Sequence, residues 1–439
     1  MISRLYLTAD VARLLKMNQV ELLLEMRVLD FFLESARKES FNGILASQAL
    51  KECEVPELSR DPIEILVESR RIDCIFARND LNPYIKRLPE LDVATQLDWM
   101  RQESLDSFCL YPTRSVLCEA VGSDDFRDKP FSRMMMLGEP QLSFVAFDLA
   151  VLGRYRDDPR FSVSFEDYSG RMSVTGTAFE DADFLERDKI SVQSFGLGLD
   201  KDTLPYVIVF YRYLANLTAE HQQYWNSFRV DRKVTMCEPY FRASIIGDFW
   251  KNRSVRNAIA KEMELINAAC QEIVGKSLFR QTLTPEFPVD LSAFLVPSTE
   301  NFDKFVHSWD KLLSENINSG FFLGVIDLKA EQTLPDGRVV VTNKGSLTLL
   351  REWLELKSDQ NMDLVKFIVD PLREVRRARQ LPAHSFRKNE FSLDFHHQRR
   401  SMLWSIFGGL TILREFLAGF SEAREISVPT WLREEIDLI

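Results

Sequence analysis

Arg379 and His384 are the residues of this chain whose types and spacing most readily do chemistry. An arginine holds a phosphate through a rigid fork of donors, and a histidine exchanges a proton near neutral pH. Both lie in the stretch from Pro371 to Phe386. Asp370 can cap a helix there, and Pro371 suits its first position. Leu372, Val375 and Arg379 then share one face, so a guanidinium continues an apolar stripe. A charge in such a seam costs several kcal/mol unless it is paired or used. Pro382 disfavours the α region at Leu381, so the helix is expected to end there, with His384 in the turn that follows.

The run Arg379-Gln380-Leu381-Pro382-Ala383-His384 resembles the Arg-x4-His signature of the HEPN superfamily, over about the last third of the chain. The resemblance implies a small up-and-down helical bundle, often a ribonuclease that works as a homodimer with two motifs facing each other. Its catalytic residues would be Arg379, His384 and Gln380. RNA carries its own nucleophile, the 2′-hydroxyl, so neither metal nor cofactor is called for. His384 would move the proton, Arg379 would stabilise the added charge of the transition state, and Gln380 would orient histidine or phosphate. The products would carry 2′,3′-cyclic phosphate and 5′-hydroxyl ends. Arg373, Arg376, Arg377, Arg387 and Lys388 would bind backbone phosphates of the RNA. Members of this superfamily often act as toxins or in defence against phage. The preceding residues would then sense an activating ligand or protein. Gln380, where Asn, Asp or His is commoner, and Pro382 favour an alternative: a catalytically silent HEPN-like bundle that dimerises and carries a binding module.

Composition sets the frame for these readings. A chain of 439 residues predicts two to three domains at about 150 residues each. Its net charge of −11 argues against a general nucleic-acid coat, so any RNA site must be local. Residues 373–400 supply one, with eight Lys and Arg against three Asp and Glu, or +5. The same run also reads as a solvated helix face. The six cysteines are scattered with no zinc-ligand spacing and read as small buried side chains in a reducing compartment. No signal-peptide pattern and no run of about 18 apolar residues is present, so a cytoplasmic protein without a membrane span is expected.

The elements that must position the motif point to an α+β, multidomain chain. Residues 1–100 read as a helical N-terminal module, open to a winged-helix reading. Helices at Thr8–Leu15 and Val20–Leu29 suggest a helix-turn-helix, and hence a DNA-binding regulator as a further alternative. Its second helix, however, offers Glu21, Glu25 and only Arg27 to a duplex. A third helix is expected to start at Asp61-Pro62. Residues 101–290 read as a mixed α/β domain. Strands are expected at Phe161–Phe165, Met172–Thr175, Ile190–Gln193 and Tyr206–Tyr211, helices at Leu142–Arg154 and Thr218–Phe228, and turns at Tyr168–Gly170 and Gly196–Gly198. A long helix spans Arg253–Leu278 and a linker Thr282–Asp290. Residues 291–439 read as the helical bundle with an inserted hairpin. Its helices are one capped at Ser298 or Thr299, Ser346–Lys357, the motif helix, and Leu393–Gly419. Strands Phe321–Asp327 and Val339–Val341 flank the turn Leu334–Arg338.

Other chemistries find little support in the residues. Gly275-Lys276-Ser277 lacks the first glycine of a phosphate loop, and Gly196-Leu197-Gly198 lacks the third of a dinucleotide site. Asp327-Leu328-Lys329 is half of a metal-dependent nuclease pattern without its acidic partner. The acidic clusters at 166–167 and 180–183 read as exposed loops. Gly138-Glu139-Pro140-Gln141-Leu142 stands out with no chemistry attached. Among the histidines, His221 and His307 read as core or boundary residues, and His396 and His397 as exposed residues at a helix start.

Overall fold

The computed structural model describes residues 19–78, 82–86, 91–122, 124–166, 168–248, 254–282, 295–333, 338–383, 388–421, 426–433 and 436. The chain is mixed α+β and divides into two compact units. The first holds the described residues up to 164, with 170–198 and 206–234; the second holds 165–169, 199–205 and those from 235 onward.

The first unit begins with helix α1 (Gln19–Arg37), whose Leu24, Val28, Phe32 and Ala36 repeat every four residues and are all buried. Strand β1 (Ile44–Leu45), helix α2 (Ala46–Glu52), helix α3 (Asp61–Glu68), strand β2 (Ile72–Phe76), helix α4 (Val93–Gln102) and strand β3 (Phe108–Pro112) follow. The strands form an antiparallel sheet in the order β1-β3-β2, with Ile44 and Cys74 both opposite Leu110. Helix α3 starts at Asp61-Pro62 as expected. The expected helix-turn-helix fares differently. Thr8–Leu15 lies outside the described residues, and Val20–Leu29 is part of the unbroken α1. Glu25 is turned inward, where Arg71 donates to it from Nε at 2.9 Å. Apart from the winged-helix reading, no strand was expected in this region. The signal of β2, buried Ile72, Cys74 and Phe76 alternating with Asp73 and Ile75, is only five residues long, and its pairing partner lies more than thirty residues on.

The same unit carries a second sheet, in the order β4-β8-β7-β6-β5. Its strands are β4 (Phe144–Phe147), β5 (Phe161–Glu166), β6 (Ser169–Val174), β7 (Ser191–Leu199) and β8 (Pro205–Phe210). The last four match the expected strands, but the helix expected over Leu142–Arg154 is replaced. Residues 144–147 pair antiparallel with β8, Phe144 opposite Phe210, and a 3-10 turn (Leu149–Leu152) leads into helix α5 (Gly153–Asp157). Asp148 makes this break by accepting from the amide of Ala150 at 2.9 Å. Gly196 and Gly198 lie inside β7 and not in a turn. Helix α6 (Ala219–Ser227) falls within the expected Thr218–Phe228.

The second unit opens with the two-residue strand β9 (Thr235–Met236) and is dominated by helices. These are α7 (Val255–Val274), α8 (Thr299–Asp310), α9 (Ser346–Lys357), α10 (Met362–Ala383) and α11 (Asp394–Ala418). Their apolar stripes meet in one core: Ile259, Met263 and Ile266 of α7, Trp309 of α8, Trp353 of α9, Ile368, Leu372 and Val375 of α10, and Ile406, Leu410 and Leu413 of α11. Ser298 caps α8 by accepting from Asn301 N at 3.3 Å. One buried ion pair crosses the core, with Arg414 Nε donating to Glu262 at 2.7 Å and Thr411 to its other oxygen at 3.0 Å. Most of the linker expected at Thr282–Asp290 lies outside the described residues. The hairpin consists of β10 (Lys329–Thr333) and β11 (Val339–Asn343). Its first strand begins later than expected, because Phe321 and Phe322 are core residues.

The motif helix differs most from its expected form. It begins at Met362, where Asn361 accepts from Leu364 N at 3.1 Å, and not at Asp370. Pro371 therefore lies inside the helix and deprives the Phe367 carbonyl of its usual donor. The helix tolerates this because α11 packs against it through Gly409. A Cβ on Gly409 would stand 3.2 Å from Phe367 O, 3.3 Å from Ile368 O and 3.3 Å from the Pro371 ring. The helix also continues through Pro382 to Ala383, two residues past the expected end.

Candidate functional site

The apolar stripe of α10 ends in Arg379, and the guanidinium there is paired. Its Nη1 donates to Asp310 Oδ2 at 2.6 Å and makes a shorter contact with Glu315. Arg376 Nε donates to the other Asp310 oxygen at 3.1 Å. Asp310 ends α8 and has no exposed surface; Glu315 ends the π turn (Lys311–Glu315) that continues α8. Two arginines on two oxygens meet the condition for burying a carboxylate. Glu315 and then Asp310 hold the Arg379 guanidinium more firmly in its charged form. The Arg379 side chain keeps 29% of its surface exposed, so it lies at the rim of the bundle.

The remaining candidates are placed as follows. Arg373 makes a surface pair with Asp370 at 3.6 Å. Arg377 and Gln380 are exposed, and with Arg373 they follow i, i+4, i+7 on the stripe beside the paired one. Lys388 is exposed. His384 and Arg387 lie outside the described residues, as do the side chains of Leu381, Pro382 and Ala383. The structure thus brings together Arg376 and Arg379, on carboxylates that sequence reading had not selected. A signal for Asp310 existed. It stands four residues after Val306 and three before Leu313, both fully buried, so an acid interrupts one stripe where a base interrupts the other.

Two histidines sit in unexpected or informative settings. His396 is buried, against the expectation of an exposed residue. Burial, then the neighbouring Arg399 and His397, push its pKa down to about 4. His221 is fully buried in the first unit, within a polar chain. Trp225 Nε1 donates to the Tyr155 hydroxyl at 3.1 Å, which donates to His221 Nδ1 at 2.7 Å; His221 Nε2 donates to Asp188 at 3.0 Å. The Asp188 carboxylate can only accept, which places the proton on Nε2, and in the neutral ring Nδ1 is left to accept from Tyr155. Burial holds His221 below the usual histidine range, although Asp188 opposes the shift.

Other candidate chemistries find no assembled site. Asp327 is exposed and precedes β10, while Lys329 begins it. Among the described residues, no group of three His, Cys, Asp or Glu side chains is arranged to hold a metal, and no helix is long and apolar enough to cross a membrane. Helix α3 carries Asp61, Glu64 and Glu68 and no lysine or arginine, so it offers DNA phosphates nothing to bind. Gly138, Glu139 and Pro140 line a cavity of about 610 Å³ in the first unit together with Arg70, Asp73, Lys86 and Gln96. No family model, curated protein sequence or solved structure matches the chain.

Proposed function

We propose that the C-terminal bundle is a metal-independent endoribonuclease of the HEPN kind, built on Arg379 and His384. The observation that carries this reading is the setting of Arg379. It stands at the rim of the bundle one turn before the end of α10, five residues from His384, with its Nη1 edge fixed by Asp310 and Glu315. A guanidinium held in this way is oriented in advance and loses little freedom on binding a phosphate. In the proposed reaction the 2′-hydroxyl of RNA attacks the adjacent phosphate. His384 takes or returns the proton, and Arg379 stabilises the charge on the non-bridging oxygens. Gln380 orients the phosphate, and Arg373, Arg377, Arg387 and Lys388 hold the strand. Arg376 serves on Asp310 and keeps Arg379 in place. The active form is a homodimer that presents two motifs.

A second reading draws on the same geometry: a silent HEPN-like interaction bundle. Two carboxylates balance the Arg379 charge, and they would also repel an incoming phosphate. In either case the N-terminal part is the partner-sensing side. Its order is helix-strand-helix-helix-strand-helix-strand with sheet order β1-β3-β2, so it departs from a winged-helix module by the helix α4 set between β2 and β3. The acidic α3 directs that module toward protein rather than nucleic acid.

The deciding experiment is cleavage of a mixed RNA pool in EDTA by wild type, Arg379→Ala and His384→Ala, each first shown to be folded. The ribonuclease reading requires cyclic-phosphate ends from wild type and a loss of at least a hundredfold in both variants. Cleavage that survives both substitutions sinks it. No cleavage by the wild type, alone or with cell extract added as a source of activator, leaves the silent bundle.

A further inference from the structure

Among the described residues, the hairpin β10–β11 is a sheet of two strands. Along β11 every residue is exposed: Val339 by 56%, Val340 by 39% and Val341 by 51%. Consecutive valines point to alternate faces, so the ribbon shows apolar side chains on both. A two-stranded ribbon with neither face buried is at best marginally stable in water, and a free apolar edge invites another strand. We infer that β11 is the self-association edge of this protein, pairing antiparallel with β11 of a second copy to make a four-stranded sheet across a two-fold axis.

The choice of a second copy rests on self-complementarity, which a two-fold contact requires. Centred on Val341, the pairing sets Val341 against Val341, Val340 against Thr342, and Val339 against Asn343, with no charge along the strand. Arg338 and Lys344 then face each other at the ends, where Glu352 already holds the Lys344 ammonium at 2.6 Å. The other edge fails the same requirement. Centred likewise, β10 would set Glu331 against Glu331, like charges directly opposite. Within the ribbon Glu331 lies opposite Val341, so the carboxylates of the paired ribbons are kept apart by the two valines on the axis. The inference goes beyond the ribonuclease reading and holds for a silent bundle as well.

Sedimentation equilibrium of the full chain tests it, together with cysteine crosslinking. The expected result is a reversible dimer, with the association constant reduced at least tenfold by Val341→Asp and within twofold of wild type for Glu331→Gln. Because Val341→Asp could unfold the ribbon, the near-isosteric Val341→Cys provides the second arm. Two such thiols meet on the axis and should form an intermolecular disulfide under mild oxidation, located by peptide mapping against the native cysteines. Val339→Cys should not do so, since its two copies would lie roughly 13 Å apart, beyond disulfide reach. A chain that is monomeric at a hundred micromolar overturns the inference. So does a dimer unaffected by Val341→Asp, or crosslinking no faster at 341 than at 339.

Discussion

At the scale of single residues, the arginine that interrupts an apolar stripe is explained by a carboxylate that interrupts another. Asp310 has no exposed surface, and its two oxygens receive Arg376 and Arg379. Breaking a fully buried pair costs roughly 3–5 kcal/mol; both guanidiniums here can still reach water, so Asp310→Ala should cost about 2–3 kcal/mol in urea unfolding. Arg379→Ala should cost less than Asp310→Ala, because Arg376 still answers the carboxylate. The reverse order would mean that Arg379 does more for the fold than answer Asp310 and Glu315. His221 supplies a pH dependence. Its folded-state pKa lies below the unfolded value near 6.5, so as pH falls the unfolded chain takes up the proton first. Stability is therefore complete above about pH 6.5 and declines below it. A protonated ring would also donate to the Tyr155 oxygen and strand the hydroxyl proton in the core. Urea midpoints at pH 7.5 and 5.5 should differ more in wild type than in His221→Gln; an equal difference would put the pH response elsewhere.

At the scale of elements, the contact of α10 with α11 is where the sequence pattern and the packing part company. Pro371 reads as a helix start because proline is favoured there, yet Asn361 caps the helix and Pro371 lies within it. The Phe367 carbonyl, which Pro371 leaves without its usual donor, lies close to Gly409, the one residue type that lets the α11 backbone come so near. The neighbouring Gly408 has open space around its Cβ position. Gly408→Ala should therefore raise stability by up to ~1 kcal/mol, as in an exposed helix. Gly409→Val should lower it by about 1–3 kcal/mol through overpacking. Thermal unfolding of the two variants checks both signs; two changes of the same sign would refute the close approach. Helix α9 is the opposite case. Its expected and observed limits coincide at Ser346 and Lys357, because Leu347, Leu350, Trp353 and Leu354 keep a strict helical spacing with no proline nearby.

At the scale of the whole molecule, a net charge of −11 leaves the positive surface of α10 as a local feature. The ribonuclease reading accordingly predicts RNA binding that weakens with salt in proportion to a few phosphate contacts, with a slope of about −0.7 in log affinity for each on a single strand. Of the residues proposed to hold a strand, Arg377 and Lys388 are exposed, whereas Arg373 pairs with Asp370 and Arg376 is engaged by Asp310.

The amino-acid sequence by itself determined the helices of the second unit, their apolar faces, the strands β5 to β8 and the stripe on which Arg379 stands. Each of these depends on residues within a few positions of one another, where helical or strand periodicity acts directly. Tertiary structure decided the rest. It set Asp310 against Arg379 across 69 positions and joined Ile72 to Pro112 in a ladder. It also drew Phe144–Phe147 out of an expected helix into a sheet with β8 and let Pro371 lie inside a helix facing a glycine on the next. In each of these cases a feature that local pattern leaves open (a buried charge, an open strand edge, a proline within a helix) meets its neighbour far along the chain, and only the folded packing brings the two together.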